Sequence, residues 1–342
     1  MSRYLLRQLS LLLVTLWLLT LLAFSLGHWF SGDFITNTSG IFPEDIRFAE
    51  TAEARAAEAG IVNQYTAYLG HLFRGDWGLS LLDGEPVFEQ IALRFGATLE
   101  IALIAFVIAI VLGIPLGVLA ALYFRKAVDH TILTISLSGY SIPVFWFAQI
   151  AILIIAIQWG LVPIAGQINP LYEITPRSGS IILDILLEQP EHMTEALHSA
   201  FLHMILPVCI LAIMPMMLII RLMRNSMLDV LSQNYITSGY AKGLSIARVL
   251  WNHALPNAMQ HVMRQIGALI SLLITNTMII EVIFSWPGLG SWLVRSIYER
   301  DYPVIQGGLL VISAVILLIT IALNIFHAWR YPQVRKDLYG AN

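Results

Sequence analysis

Cysteine is all but missing from this 342-residue chain: Cys209 stands alone in a greasy run, so no intrachain disulfide can form and the residue reads as apolar filler. Charge is scarce as well, with Asp, Glu, Lys and Arg together at 12%, which excludes an ordinary soluble domain. The basic residues are scattered over loops, with no cluster suited to nucleic acid. No Gly-x-x-x-x-Gly-Lys-Ser/Thr phosphate loop occurs, so ATP hydrolysis is not expected of this chain. A Gly-x-Ser-x-Gly nucleophile elbow and a His-Glu-x-x-His zinc helix are absent too, which leaves no catalytic residue, cofactor or metal to assign. Heptads, low-complexity tracts and internal repeats do not stand out.

What the chain has is hydrocarbon. Apolar residues make up 58% of it. A helix needs about 20 apolar residues to cross a bilayer, and six stretches qualify: 9–29, 98–123, 132–158, 204–220, 266–284 and 305–327. The fourth is short and holds Pro207 and Pro215, which spans tolerate where neighbouring helices satisfy the freed carbonyls. The expected class is all-α, a polytopic membrane protein with about six transmembrane helices. If the N-terminus is inside, the inside segments collect most of the 19 Lys and Arg residues, including Arg3, Arg7, Arg125, Lys126, Arg221 and Arg224. Only Asp129, Asp229 and Asp337 oppose them there. By the positive-inside rule both termini are then cytoplasmic. Arg3 and Arg7 precede an apolar run over 9–26 that is longer than a signal-peptide core of roughly 7–15 residues and lacks an Ala-x-Ala site, so it reads as an uncleaved first span.

Residues 30–97 form a polar excursion. Its first half, 44–60, is rich in Ala, Glu and Arg and reads as helical. Its second half turns at Gly75 and Gly78, after which Val87, Ile91 and Phe95 recur at helical spacing and lead into the second span. Prolines and glycines make 159–180 a loop, and a charged helix over 191–201 leads into the fourth span. Membership by segment is therefore 1–29 for the first helix, 30–93 outside, 94–328 for the membrane core and 329–342 for an inside tail.

The most informative segment lies on the inside, over 234–257. It reads Thr237-Ser238-Gly239-Tyr240-Ala241-Lys242-Gly243, then nine residues, then His253-Ala254-Leu255-Pro256. Apolar positions keep a helical period on both sides of the glycine, with Ile236 and Tyr240 before it and Ile246, Val249 and Leu250 after it. That pattern predicts short amphipathic helices lying against something outside the bilayer. Gly243 is placed to end the first, in the left-handed conformation a helix stop needs, and Ser245 to cap the next. The plain alternative is a helix pair resting on the membrane surface with no partner.

Other groups invite two readings each. Glu281 is the conspicuous ionisable residue of a span, where a carboxylate costs roughly 2.5–3.5 kcal/mol. Either it lines a path with Asn276 and Thr277 and favours cations, or it steadies the turn at Pro287, Gly288 and Gly290. Its place near the end of the run favours the turn. Glu100, at the second span's start, reads as structural. Gly113 and Gly117 form a small-xxx-small pair that could admit a neighbouring helix, with Pro115 between them suggesting a kink. Glu191, His192, Glu195, His198 and His203 could be gathered as metal ligands, but nothing brings His203 to their face, and a solvated helix is favoured.

The spacing from Gly243 to His253-x-Leu255-Pro256 resembles the EAA-type loop of bacterial ATP-binding-cassette (ABC) importer permeases, with Thr237-Ser238-Gly239 where the family has Glu-Ala-Ala. Further stretches resemble the dipeptide and oligopeptide branch: Gly75-Asp76-Trp77-Gly78-Leu79-Ser80, Thr98-Leu99-Glu100, Ser141-Ile142-Pro143-Val144-Phe145-Trp146, and His203-Met204-Ile205-Leu206-Pro207. The most specific is Glu281-Val282-Ile283-Phe284-Ser285-Trp286-Pro287-Gly288-Leu289-Gly290, with Asp301-Tyr302-Pro303 after it. Leu171-Tyr172-Glu173-Ile174 and Arg221-Leu222-Met223-Arg224 resemble Sap-type permeases within the branch.

The resemblance implies a type I ABC importer permease (MetI-like) fold in the bacterial inner membrane and a non-catalytic subunit. The implied partners are a second homologous permease, two cytoplasmic ABC ATPases, a periplasmic substrate-binding protein and membrane lipid. Thr237, Gly239, Ala241, Gly243, Ile246, Val249, Leu250, His253, Leu255 and Pro256 would be the ATPase-coupling loop. Sap-type systems are associated with antimicrobial-peptide uptake and with putrescine export, so both substrates stand. A self-contained secondary transporter would instead need inverted repeats and polar broken helices at the midplane, and few polar residues are buried here.

Overall fold

The computed structural model describes residues 2–30, 32–55 and 60–330. Residues 56–59 of the expected helical stretch 44–60, and 331–342 of the expected tail, lie outside the described residues. Among the described residues helix is the only extended secondary structure, joined by one bridge between Leu79 and Pro86.

The first apolar run forms α1 (Ser2–Trp29). The polar excursion holds α2 (Phe34–Ser39), α3 (Phe48–Ala54) and α4 (Ile61–Phe73). Asp33 starts α2 because its carboxylate accepts the otherwise orphaned N–H groups of Ile35 and Thr36, at 2.8 and 3.2 Å. Then come α5 (Val87–Leu122), α6 (Ala127–Ser141), α7 (Val144–Ala151), α8 (Ile181–Glu188) and α9 (Met193–Leu231). The chain closes with α10 (Asn234–Ala241), α11 (Ile246–Val249), α12 (Leu255–Ile283), α13 (Leu289–Glu299) and α14 (Tyr302–Arg330).

Among the described residues five helices are long and apolar enough to cross a membrane, and six spans result if the bent pair α6–α7 counts as one. That pair departs from the single run expected over 132–158. The helices meet at 97°, because Pro143 lacks an N–H and forces the preceding residue out of helical conformation: Ile142 is extended, with ψ at 126°. The fourth run departs in the other direction. It is not short, since α9 continues from the charged stretch through Pro207 and Pro215 for 39 residues.

The chain divides into two compact units. The first comprises 1–100, 165–201 and 284–318, the second 101–164, 202–283 and 319–342. In the first, Val87, Ile91, Leu289, Trp292 and Val304 form one apolar core, so the expected spacing of Val87 and Ile91 does bury a helix face. Ala23, Phe24, Tyr68 and Leu310 form another. In the second unit, α5 and α9 approach closely. A Cβ at Gly117 would stand 2.7 Å from the Met223 Cβ and 2.8 Å from the Ile220 carbonyl oxygen, so only glycine admits that contact, as the small-xxx-small pair predicts.

Candidate functional site

The segment over 234–257 is an ordered elbow built on the end of α9. Met223, Met227 and Val230 of α9 are buried together with Ile236, Val249, Ala254, Ala258 and Val262. Burying that many apolar side chains holds helices that are too short to persist alone. After α10 the chain turns at Gly243, whose φ of +82° is the left-handed value expected of a helix stop. Its N–H donates to the Tyr240 carbonyl at 2.9 Å. Ser245 then caps α11, its hydroxyl accepting the Arg248 N–H at 3.4 Å. Pro256 cannot donate to the carbonyl four residues back, and its ring crowds that turn. The backbone widens to a π turn over Leu250–Ala254 just ahead of it. Asn257 ties the two arms, donating from Nδ2 to the Tyr235 hydroxyl at 3.0 Å and to the His253 carbonyl at 2.8 Å.

The elbow has two faces. Ile236, Gly239, Val249 and Ala254 are turned inward, with Leu250 and Leu255 half-buried beside them. Thr237, Ala241, Gly243, His253 and Pro256 are exposed. Ile246 is 65% exposed and Trp251 70%. The expected face of Ile246, Val249 and Leu250 is thus divided: Val249 belongs to the chain's own core and Ile246 faces outward. Trp251 escaped the sequence reading because a π turn inserts one extra residue, and counting at 3.6 per turn loses register across it. An exposed set of Tyr240, Ile246 and Trp251 on a rigid support can bury apolar area against a protein groove.

A second set of motif residues meets inside the first unit. Trp286 is fully buried and donates its indole N–H to the Ala97 carbonyl at 3.0 Å. The Leu289 N–H donates to the Thr98 hydroxyl at 2.8 Å. Glu100 accepts from the Ser180 hydroxyl at 2.6 Å and from the N–H groups of Ile181 and Ile182. It therefore caps α8 and places negative charge at that helix's positive end, the structural role expected of it. Ser80 donates to the buried carboxylate of Asp301 at 2.6 Å. Burial pushes the Asp301 carboxyl above the usual carboxylate range, opposed by that hydroxyl and by backbone N–H donors.

In the second unit Glu281 is fully buried, as is Thr277, whose hydroxyl donates to the Leu273 carbonyl at 2.8 Å. Asn276 is nearly so and donates to the Met214 sulfur at 3.3 Å. Gly288 and Gly290 are buried and Pro287 half-buried in the first unit's turn, where the Gly288 N–H reaches the Trp286 carbonyl at 2.8 Å. Glu191 and His192 lie just before α9, Glu195, His198 and His203 lie along its first three turns, and no group of three metal-ligating side chains converges among the described residues. A cavity of 320 Å³ opens where α6 breaks into α7, walled by Ile135, Ile142, Phe147, Ile210 and Met217.

The family model described as binding-protein-dependent transport system inner membrane component matches residues 113–336. The dipeptide transport system permease protein DppB of Escherichia coli K12 is 36% identical over 98% of this chain and 99% of its own length. The putrescine export system permease protein SapB of the same organism is 35% identical over 98% of both. The peptide transport system permease protein SapB of Salmonella typhimurium matches at 35% over the same shares.

Proposed function

The chain belongs to the family of binding-protein-dependent transport system inner membrane components, and from that premise we propose that it forms half of the translocation pathway of a peptide-carrying ABC transporter. It is a multi-pass inner-membrane permease subunit that works with ATPases and a substrate-binding protein. In our reading the full assembly has a second homologous permease and two cytoplasmic ATPases, with both termini of this chain cytoplasmic. The division is 1–29 for the first helix, 30–93 periplasmic, 94–328 for the permease core and 329–342 for the tail. The chain itself catalyses nothing; ATP is hydrolysed next door.

The two-faced elbow carries this reading. Its inner residues fasten it to α9, and its outer residues, Tyr240, Ile246 and Trp251, are left for an ATPase groove. Thr237, Gly239, Ala241, Gly243, His253, Leu255 and Pro256 shape the segment between those contacts. Glu281, Asn276 and Thr277 we assign to holding the helices, because Asn276 and Thr277 bond within the chain and all three are buried. Pro287, Gly288 and Gly290 form the turn that seats Trp286.

The first test is purification of the tagged chain in mild detergent from its native host. A second six-span protein and P-loop ATPases should come with it; isolation of the chain alone would sink the reading. Polyamine export is the second reading, favoured by the name of a relative at 35% identity. Labelled dipeptide and labelled putrescine, offered separately to vesicles containing the assembled complex, separate the two.

A further inference from the structure

One carboxylate in the second unit grips three elements at once. Asp129 lies in the first turn of α6 and is 1% exposed. Arg224 of α9 binds it with a two-pronged fork, Nε to Oδ1 at 2.6 Å and Nη2 to Oδ2 at 2.8 Å. The backbone N–H of Arg125, in the turn between α5 and α6, donates to Oδ2 at 2.8 Å. That turn is strained, with Arg125 at a φ of +60°, and Asp129 is what closes it. The Arg224 guanidinium also lies 5.3 Å from the centre of the Phe124 ring, a second contact with the same turn.

The fork sits on the stretch of α9 that supports the elbow. Met223, the neighbour of Arg224, and Met227, one turn on, are fully buried against Ile236 and Val249. On α5, Gly117 lets Met223 pack backbone-close. Elbow, α9 and the α5–α6 turn therefore form one packed body, clasped by a charge pair. At its other end α6 breaks at Ile142 and Pro143, beside the 320 Å³ cavity it shares with α7 and α9.

We propose that Asp129 and Arg224 are a positioning pair that passes displacement of the elbow to α6, and through α6 to the broken span. A packed core moves as a unit rather than deforming continuously, and the fork keeps the α5–α6 turn inside that unit. Without it the elbow's movement is absorbed in the turn. This rests on the elbow being the ATPase contact, and the test separates the two claims.

The complex is reconstituted in liposomes with its ATPases and binding protein, and substrate carried per ATP hydrolysed is measured for the wild type, Asp129→Asn, Arg224→Lys, Arg224→Gln and the double variant Asp129→Asn with Arg224→Gln. Arg224→Lys keeps the charge and loses the fork, so it is the mildest probe of assembly. Assembled yield and basal ATP hydrolysis should stay near wild type, while substrate per ATP falls by about tenfold or more in Asp129→Asn and less in Arg224→Lys. The double variant should be no worse than the worse single one, as partners in one contact are not additive. Unchanged substrate per ATP in the single variants, additive losses in the double, or loss of assembly in every variant including Arg224→Lys would overturn the proposal. A wild-type complex in which ATP drives no transport would instead overturn the elbow reading, and this inference with it.

Discussion

Trp286 and Trp251 mark the contrast between the two units. Trp286 is wholly buried, its N–H given to Ala97, in a site where Thr98, Leu289 and Ser291 also find partners. Trp251 is 70% exposed on the outer face of the elbow, above a core that closes without it. Both lie in or near stretches that resemble the permease family. The motif residues around Trp286 are consumed by the fold, whereas the elbow's are divided between the fold and a surface. A motif with no side chain left over describes architecture; one with a leftover apolar face describes an encounter.

The contrast can be broken most forcefully at Trp286. Trp286→Ala removes a buried ring and its hydrogen bond to Ala97, so it should cost about 3–5 kcal/mol and deplete the assembled chain from membranes. Normal yield and thermal stability in detergent would mean the site is not the fold's staple. Next in size is Gly243→Val, which forces a β-branched residue into the left-handed region at about 1–3 kcal/mol. Because a side chain there meets nothing within 4 Å, the cost stays in the backbone, and ATP-driven transport should fall much further than the amount of chain. Equal falls in both would place Gly243 with Trp286.

Ile246→Glu and Trp251→Glu sharpen the comparison from the other side. Exposed positions should shift stability by no more than about 0.5 kcal/mol, yet each variant should lose its ATPases on size-exclusion chromatography. Retained ATPase would remove the outer face from the docking surface. Glu281→Gln should lower the thermal midpoint while leaving the ranking of transported substrates unchanged, and an altered ranking would move Glu281 into the pathway. The smallest effect is expected at Asp301. Since its folded pKa is raised, its stabilising contribution is complete below the ordinary value of about pH 4 and is lost as pH rises through the raised one. Asp301→Asn should therefore flatten the pH dependence of the thermal midpoint just above pH ~4, and an unchanged slope would assign that dependence elsewhere.

Periodicity and turn chemistry made much of this legible. The six apolar runs, the stop at Gly243, the cap at Ser245 and the close approach at Gly117 are all local signals. One local signal misled: Pro143 breaks its run outright, whereas Pro207 and Pro215 are tolerated within an unbroken α9 as expected, and only neighbours in space decide which proline bends a helix. The clasp of Arg224 on Asp129, 95 residues apart, and that of Ser80 on Asp301 leave no periodic trace, because pairing across the chain is set by packing. Trp251 was hidden by a change of helical pitch.

The pairing of Ser80 with Asp301 also sets a clock. The two are separated by 221 residues, which at about 5–20 residues per second takes a ribosome roughly ten to forty seconds to cover. For that interval the Ser80 hydroxyl is without the carboxylate it donates to, until the last third arrives with Trp286 and Asp301. The first unit is thus closed from the C-terminal side, and a chain cut short before residue 284 lacks the partners that Ala97, Thr98 and Ser80 bond in the complete fold.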